Sequence, residues 1–264
     1  MSSNFITFSS GIIHTPLEQF EIIPIIPFSF GIFDFSITNE AVILGLIFFL
    51  LYFLFVFSTK DDTASFFVVP HRWQIMLEGM YNLILSMISD NIASKKGQYF
   101  FPFVLSLFGY ILMLNLIGLV PYSFTLTSHL IVTFALALFM FIGINIICIR
   151  IHGSEFFALF LPGGTSFVLA LLLVPIEVIS FVFKPISLSI RLFANMMAGH
   201  TLLKVIAGFA WSLSGCTGIF FLLHYVPLLI LIPLFGLELG VALIQAFVFS
   251  ILTCIYLNDS INLH

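Results

Sequence analysis

Charged side chains are scarce in this sequence of 264 residues, which is 61% hydrophobic and 8% charged, with a mean hydropathy of +1.23. A soluble domain carries about 25% charged residues, so this chain could not build a water-exposed surface of ordinary size. Lipid must therefore act as its solvent, and the length suffices for roughly four to six spans of about 20 residues. The sequence also lacks a basic patch that could neutralise phosphates, so we expect no nucleic-acid partner.

Motifs for bond-making chemistry are missing as well. The chain contains no C-x-x-C pair, no metal-spaced cluster, no glycine-rich phosphate loop and no G-x-S-x-G elbow. Cys148, Cys216 and Cys254 are far apart within apolar runs, a placement typical of small buried hydrophobic residues. We therefore expect no metal, no cofactor and no catalytic residue in this chain.

The N-terminal residues resemble no targeting segment. Residues 1–11 are apolar and serine-rich, without a basic region, a small-residue cleavage site or the arginines of a transit peptide. For so hydrophobic a chain, synthesis and insertion within its own compartment explain this most easily. Residues 1–37, which contain Pro16, Pro24 and Pro27, are predicted to form an extended leader ahead of a single membrane domain at 38–264.

Five apolar stretches predict an all-α integral membrane protein. The spans are expected at about residues 39–57, 100–120, 129–149, 165–206 and 218–257. The last two are about twice the necessary length and have no cluster of turn formers at their centres. This favours two long, tilted helices over four short ones, with kinks at Pro175, Pro185, Pro227 and Pro233.

One further helix is predicted to be amphipathic. Over about residues 70–93, apolar side chains recur every three or four positions, with polar residues such as Gln74 and Glu78 between them. Such a helix lies on the membrane surface or packs on partner helices.

The loops after the first and third spans hold the basic residues Lys60, Arg72, Lys95, Lys96 and Arg150, whereas residues 121–128 and 208–218 hold none. This asymmetry predicts an outer N-terminus and an inner C-terminus at His264.

Ionisable side chains inside the last two spans require a reason, because a charge near the bilayer centre costs from about 3 to more than 10 kcal/mol. At about 100° per residue, one stripe roughly 40° wide holds Glu177, Lys184, Arg191 and Asn195. His200 lies on roughly the opposite side of that helix, about 13 Å further along.

The fifth span has a polar stripe of its own, about 60° wide, formed by Glu238, Gln245 and Asp259. The pattern predicts an inner polar track that leads to Arg191, and an offset outer pair of His200 with Glu238. Arginine keeps its proton in proteins, so Arg191 would block a direct leak and attract a mobile carboxylate from a neighbouring subunit. Glutamate and histidine, by contrast, can exchange protons.

Other interpretations of these residues stay open. Arg191 could simply pair with Glu177 or Glu238 inside a helix bundle, and Lys184 and Lys204 could be interfacial cations. A secondary transporter would need matching broken helices in both halves, and a quinone-handling subunit would need haem-spaced histidines or metal ligands. Neither pattern is present in the sequence. A passive scaffold would not need charges within its spans.

Four segments resemble the F-type ATP synthase subunit a family. Lys184-Pro-Ile-Ser-Leu-Ser-Ile-Arg191-Leu-Phe-Ala-Asn195-Met-Met-Ala-Gly-His200 is similar to the signature around the family's essential arginine. Glu238-Leu-Gly-Val-Ala-Leu-Ile-Gln245 is similar to the motif of its last helix. Asn115-Leu-Ile-Gly-Leu-Val-Pro121 and Thr15-Pro-Leu-Glu-Gln-Phe-Glu21 resemble further segments, the latter typical of mitochondrial members, which in some cases lose a few N-terminal residues in processing.

The resemblance implies a role for each of these side chains. Two long helices would follow a rotating ring of c subunits, and Arg191 would hold the ring carboxylate between two half-channels. The outer half-channel would involve His200, Glu238, Asn195, Gln245 and Asn115. The inner one would involve Glu177 and Asp259, with Lys184 as a further candidate for proton translocation.

The same resemblance implies the surroundings of the chain. Its partners would be the c-ring, other membrane and peripheral-stalk subunits of ATP synthase, membrane lipid and protons. The chain would be a non-catalytic component of the proton-transporting machine. It would lie in the mitochondrial inner membrane, with its N-terminus toward the intermembrane space and its C-terminus toward the matrix.

Overall fold

Six α-helices dominate the structure, a computed structural model that describes residues 7–8, 11–12, 20–30, 33–59, 72–92, 95–120, 123–153, 167–215 and 223–261. The helices are α1 Asn39–Thr59, α2 Arg72–Asn91, α3 Phe101–Gly118, α4 Leu130–His152, α5 Phe167–Ser214 and α6 Tyr225–Ile261. Short 3₁₀ turns at Lys95–Phe100 and Leu126–Ser128 precede α3 and α4.

The leader contains short strands, which the sequence patterns did not predict. The strands are β1 Thr7–Phe8, β2 Gly11–Ile12, β3 Pro24–Ile26, β4 Ser29–Phe30, β5 Phe33–Asp34 and β6 Ile37–Thr38. They pair antiparallel as β1 with β2, β3 with β6, and β4 with β5. Asn39 then ties the leader to α1, because its amide accepts from the backbone N–H of Ile23 at 3.3 Å and donates to the carbonyl of Glu21 at 3.1 Å.

The class of the protein is confirmed: it is an all-α membrane protein. Helices at residues 97–118, 130–152, 171–214 and 225–261 are long and apolar enough to cross a membrane. Residues 39–54 of α1 form a shorter apolar helix, so α1 as a fifth span stays a prediction.

Both long apolar stretches form one continuous helix each, as predicted. α5 has 48 residues and α6 has 37, which corresponds to about 72 and 55 Å of helix. Neither fits upright in a hydrocarbon core of about 30 Å. α5 also continues to Ser214, beyond the expected end near residue 206. Gly208 therefore lies inside the helix and not in the loop predicted at 208–218.

The core lies where α3, α4, α5 and α6 meet, around buried side chains that include Ile111, Leu192 and Phe249. The amphipathic helix α2 joins this core through Ile84, Met87 and Ile88 rather than lying apart from it. Its opposite face is exposed, and there the Gln74 amide donates to Glu78 at 2.9 Å. α2 is thus partnered by helices of its own chain.

Several predictions concern residues outside the described set: Lys60, Cys216, residues 15–19 and 121–122, the C-terminal His264, and the side chains of Lys95 and Lys96. The prediction for the other two cysteines is confirmed, since Cys148 and Cys254 are buried and free. α4 ends at Gly153, which adopts a positive φ of 58° that a side chain would disfavour.

Candidate functional site

Three helices meet at a set of polar side chains that we call the outer cluster: Asn115 of α3, Asn195 and His200 of α5, and Glu238 and Gln245 of α6. Hydrogen bonds join the helices there. The Asn195 amide donates to Gln245 Oε1 at 3.1 Å, linking α5 to α6. The fully buried Asn115 amide donates to the Ala242 carbonyl at 3.2 Å, linking α3 to α6. The five residues predicted for an outer path therefore lie where these three helices meet.

A close approach of α5 and α6 places Glu238 against Gly199, the residue before His200. A Cβ added to Gly199 would lie 2.9 Å from the carboxyl carbon of Glu238 and would collide with the carboxylate oxygen Oε1. Only glycine leaves the carboxyl group room at this point on α5. The Glu238 carboxyl thus packs against the residue directly before His200.

The outer cluster contains buried polar atoms that the chain itself does not satisfy. Both carboxyl oxygens of Glu238, His200 Nε2, Gln245 Nε2 and Asn115 Oδ1 have no hydrogen-bond partner among the described residues. More than 90% of buried polar groups in proteins are hydrogen-bonded, and an unmade bond costs about 1–3 kcal/mol. The outer cluster therefore holds several polar atoms whose hydrogen-bonding capacity is not used by the residues that the structure describes.

A second set of side chains, the inner cluster, comprises Lys184 of α5 with Tyr256 and Asp259 of α6. The Lys184 ammonium lies 3.9 Å from the Asp259 carboxylate, and both side chains are partly exposed. The same ammonium lies 4.8 Å from the centre of the Tyr256 ring, within reach of a cation–π interaction. Lys184 therefore forms an ion pair with Asp259, the acid predicted for the inner path.

Glu177 does not join this cluster. No hydrogen bond or ion pair links it to Asp259 within the described ranges, and its Oε2 is buried without a partner there. It precedes Lys184 by seven residues, which is about 10 Å along the helix. Glu177 and Lys184 of the predicted inner track thus lie at two separate places on α5.

Arg191 lies between the two clusters on α5 and is exposed, while its neighbour Leu192 is fully buried. It has no hydrogen-bond or ion-pair partner among the described residues. The structure therefore does not support the alternative in which Arg191 pairs with Glu177 or Glu238. The Arg191 side chain is exposed at the surface of the chain.

Three residues at these sites were not identified from the sequence: Gly199, Tyr256 and Phe20. Tyr256 precedes Asp259 by three residues and so shares its helix face, a signal that was available. Phe20 is buried, and its ring lies edge-on to His200 with 6.5 Å between centroids. Nothing in the leader sequence indicates that contact, because it depends on how the leader folds back.

Ionisable residues within membrane helices mark ion pathways, since their burial otherwise has no reason. This helical chain has a buried acid and a half-buried imidazole at one level and an exposed arginine at another, features of an ion-translocating membrane protein. The family model described as ATP synthase A chain matches residues 41–258, and the chain belongs to the ATP synthase subunit a family.

Individual relatives match this chain along nearly its whole length. ATP synthase subunit a of Pylaiella littoralis is 54% identical, over 95% of this chain and 99% of the relative. The subunit a of Chondrus crispus is 50% identical over 96% and 98% of the two chains. That of Marchantia polymorpha is 47% identical over 95% and 99%.

Proposed function

We propose that this chain is the proton-translocating stator subunit of the membrane (Fo) sector of an F-type ATP synthase, and that it couples proton flow to ring rotation and ATP synthesis. The observation that carries the proposal is Arg191, which is exposed, has no partner among the residues that the structure describes, and lies between two separate polar clusters on α5 and α6. Along α5 the inner Lys184 lies about 10 Å to one side of Arg191 and the outer His200 about 13 Å to the other.

The two clusters correspond to two offset half-channels. In the outer one, His200 and Glu238 exchange protons, while Asn115, Asn195 and Gln245 hold the helices and offer polar atoms to water. In the inner one, Asp259 and Glu177 accept or release protons, and Lys184 keeps Asp259 in place. Neither half crosses the membrane alone, so a proton must change carriers at the level of Arg191.

The carrier is a carboxylate on a ring of c subunits. Arg191 cannot give up its proton, but it forms a strong charge-assisted bond with an ionised carboxylate. It would hold each ring carboxylate in its deprotonated form during passage from one half-channel to the other. A fixed cation at this point also prevents protons from leaking directly between the halves.

The surface around Arg191 favours close contact with such a ring. Ser180, Ser187, Ala194 and Ala198 are exposed and lie within about 60° of Arg191 around the α5 axis. Small side chains let membrane helices approach each other closely. We propose that this small-residue face packs on the ring, with α5 and α6 strongly tilted and kinked at Pro175, Pro185 and Pro233, which lie inside the helices.

The remaining features follow the same proposal. α1 is a fifth span in a single membrane domain, and peripheral-stalk and other membrane subunits cover the exposed apolar surfaces of the chain. The basic residues Arg72 and Arg150 favour the matrix side of the mitochondrial inner membrane, so the N-terminus faces the intermembrane space.

Arg191→Ala in the whole ATP synthase, reconstituted into vesicles, tests this function. We expect ATP-driven proton pumping and proton-driven ATP synthesis to be lost, and passive proton leak to rise, because the barrier between the half-channels is gone. Arg150→Ala, a basic residue at the end of α4, is the matched control and should leave both measurements unchanged. Coupled transport that persists in Arg191→Ala would refute the proposed role.

A further inference from the structure

We infer that the segment between α3 and α4 provides the outermost proton-transfer groups of the outer path: His129 passes protons through Thr125 to His200. This inference rests on the proposed function. The segment, residues 123–129, is non-helical except for one 3₁₀ turn, and residues 124–128 are all buried. At membrane depth, such backbone is tolerated where it is covered by protein or lines a watered cavity.

The polar groups of this segment fall into two kinds. Its serine hydroxyls are used locally, since Ser128 donates to the Thr125 carbonyl at 2.6 Å and Ser123 to the Ile117 carbonyl at 2.8 Å. In contrast, the hydroxyls of Thr125 and Thr127 and Nε2 of His129 are buried and have no partner among the described residues. These groups therefore have hydrogen-bonding capacity that the fold does not use.

Gly118 shows where Thr125 lies. A Cβ on this glycine would be 3.2 Å from Cγ2 of Thr125 and 4.0 Å from Nε2 of His200. The threonine side chain and the unpartnered imidazole nitrogen therefore lie against the same point of α3. A hydroxyl and an imidazole on side chains that meet at one point can exchange a proton through a bridging water molecule.

Thr127 faces a different space. It lines a cavity of about 270 Å³ whose other walls are largely apolar and include Tyr110 of α3, Leu136 of α4 and Leu192 of α5. Thr125, His129 and His200 do not line this cavity. The two threonines are equally buried, at 1% exposed each, and differ in what they face.

His129 supplies the imidazole at the outer end of the proposed path. Its ring stacks on Phe124 with 5.1 Å between centroids, which fixes the imidazole beside the segment that carries Thr125. An imidazole binds and releases protons near neutral pH. In one transfer His129 takes a proton on a ring nitrogen and releases it to the Thr125 hydroxyl. That hydroxyl in turn releases its own proton toward His200, so both groups return to their starting states.

The test uses the whole reconstituted ATP synthase and measures proton flux, both driven by ATP and driven by a potassium diffusion potential. Thr125→Val and His129→Gln should each lower flux roughly tenfold, less than the ~100-fold typical of a lost acid–base group because water can bridge the gap. Thr125→Ser, which keeps the hydroxyl, should retain parental flux. Thr127→Val makes the same chemical change at the same burial and should also retain it.

Chemical rescue separates proton transfer from packing. Imidazole added on the outer side should restore flux in His129→Gly, which a purely structural role would not allow. Equal losses in Thr125→Val and Thr127→Val, or no rescue by imidazole, would overturn the inference. Arg191→Ala is measured in parallel. If it loses coupling while Thr125→Val and His129→Gln keep parental flux, this inference fails and the proposed function stands; if it keeps coupling, the proposed function itself fails.

Discussion

The carboxyl group of Glu238 combines burial with an absence of partners. It is 8% exposed, both of its oxygens lack hydrogen bonds among the described residues, and it presses on Gly199. A carboxyl group that served only for packing would be a poor choice at such a position, since an apolar side chain of that shape would avoid the cost of desolvation. Proton exchange gives its presence a reason.

Glu238→Gln tests this residue, because the amide keeps the size of the side chain but cannot take up and release a proton. We expect proton flux through the reconstituted complex to fall by about 100-fold or more. Lys204→Gln on α5 is the control, with a charge removed from the same helix pair outside both clusters. Similar losses in the two variants would contradict the assignment of Glu238 to the outer path.

Gly199→Ala tests the close approach of the two helices. The added methyl group collides with the Glu238 carboxyl, so we expect the protein to lose about 1–3 kcal/mol of stability and the complex to lose flux. Thermal unfolding of the purified complex measures the first effect. Gly208→Ala, on the same helix with nothing within 4 Å, should be neutral or slightly stabilising.

Glu238→Asp, combined with Gly199→Ala, tests whether the contact between the two residues causes the loss of stability. Glu238→Asp shortens the acid by one methylene and should relieve the collision in Gly199→Ala. We expect the double variant to be more stable than Gly199→Ala alone. If the two substitutions acted additively, the contact between the residues would not be the cause.

At the scale of elements, one side-chain hydrogen bond joins α5 to α6 at the outer level. The Asn195 amide and Gln245 Oε1 bond at 3.1 Å across the two helices. In a double-mutant cycle with Asn195→Leu and Gln245→Leu, we expect a coupling energy of about 0.5–1.5 kcal/mol. Denaturant titration in detergent micelles measures it. A coupling of zero would show that the two amides stabilise the interface independently.

The helices themselves could be predicted from the sequence, since long apolar runs leave few alternatives in lipid. Which faces meet could not. Asn195 shares a stripe with Glu177 and Arg191 by spacing, yet its amide bonds to Gln245 because α6 passes on that side. Spacing gives the direction of a side chain around its own axis, and contacts also depend on where the neighbouring helix lies.

For the same reason, the sequence patterns could not predict the paired strands of the leader or the contact of Phe20 with His200. Both depend on contacts between residues far apart in the chain, such as Pro24 with Thr38. The roles of the site residues came from the resemblance, and the chemistry of arginine, glutamate and histidine made them reasonable. The sequence pattern already predicted offset inner and outer groups, and the geometry adds the contacts within each of them.

For the molecule as a whole, the exposed face around Arg191 is the surface on which we propose that the ring packs. Ala194→Trp places a bulky ring on this small-residue face and should prevent close packing, so that coupled proton pumping is lost. Val182→Trp is the control, since Val182 is also exposed but lies roughly opposite Arg191 around the α5 axis. Pumping assays on complexes isolated with equal amounts of each variant measure the effect. Equal activity in the two variants would show that the ring packs elsewhere.

The exposed guanidinium of Arg191 also has a consequence for biogenesis. A bare cation within the apolar region costs several kcal/mol, and a partner that covers it stabilises the folded chain by mass action. The chain alone should accordingly be short-lived in its membrane and persist only once a ring has docked. The residue that we propose to hold the ring carboxylate would thus also determine which copies survive, because unassembled chains with an uncovered Arg191 would be exposed to proteolysis.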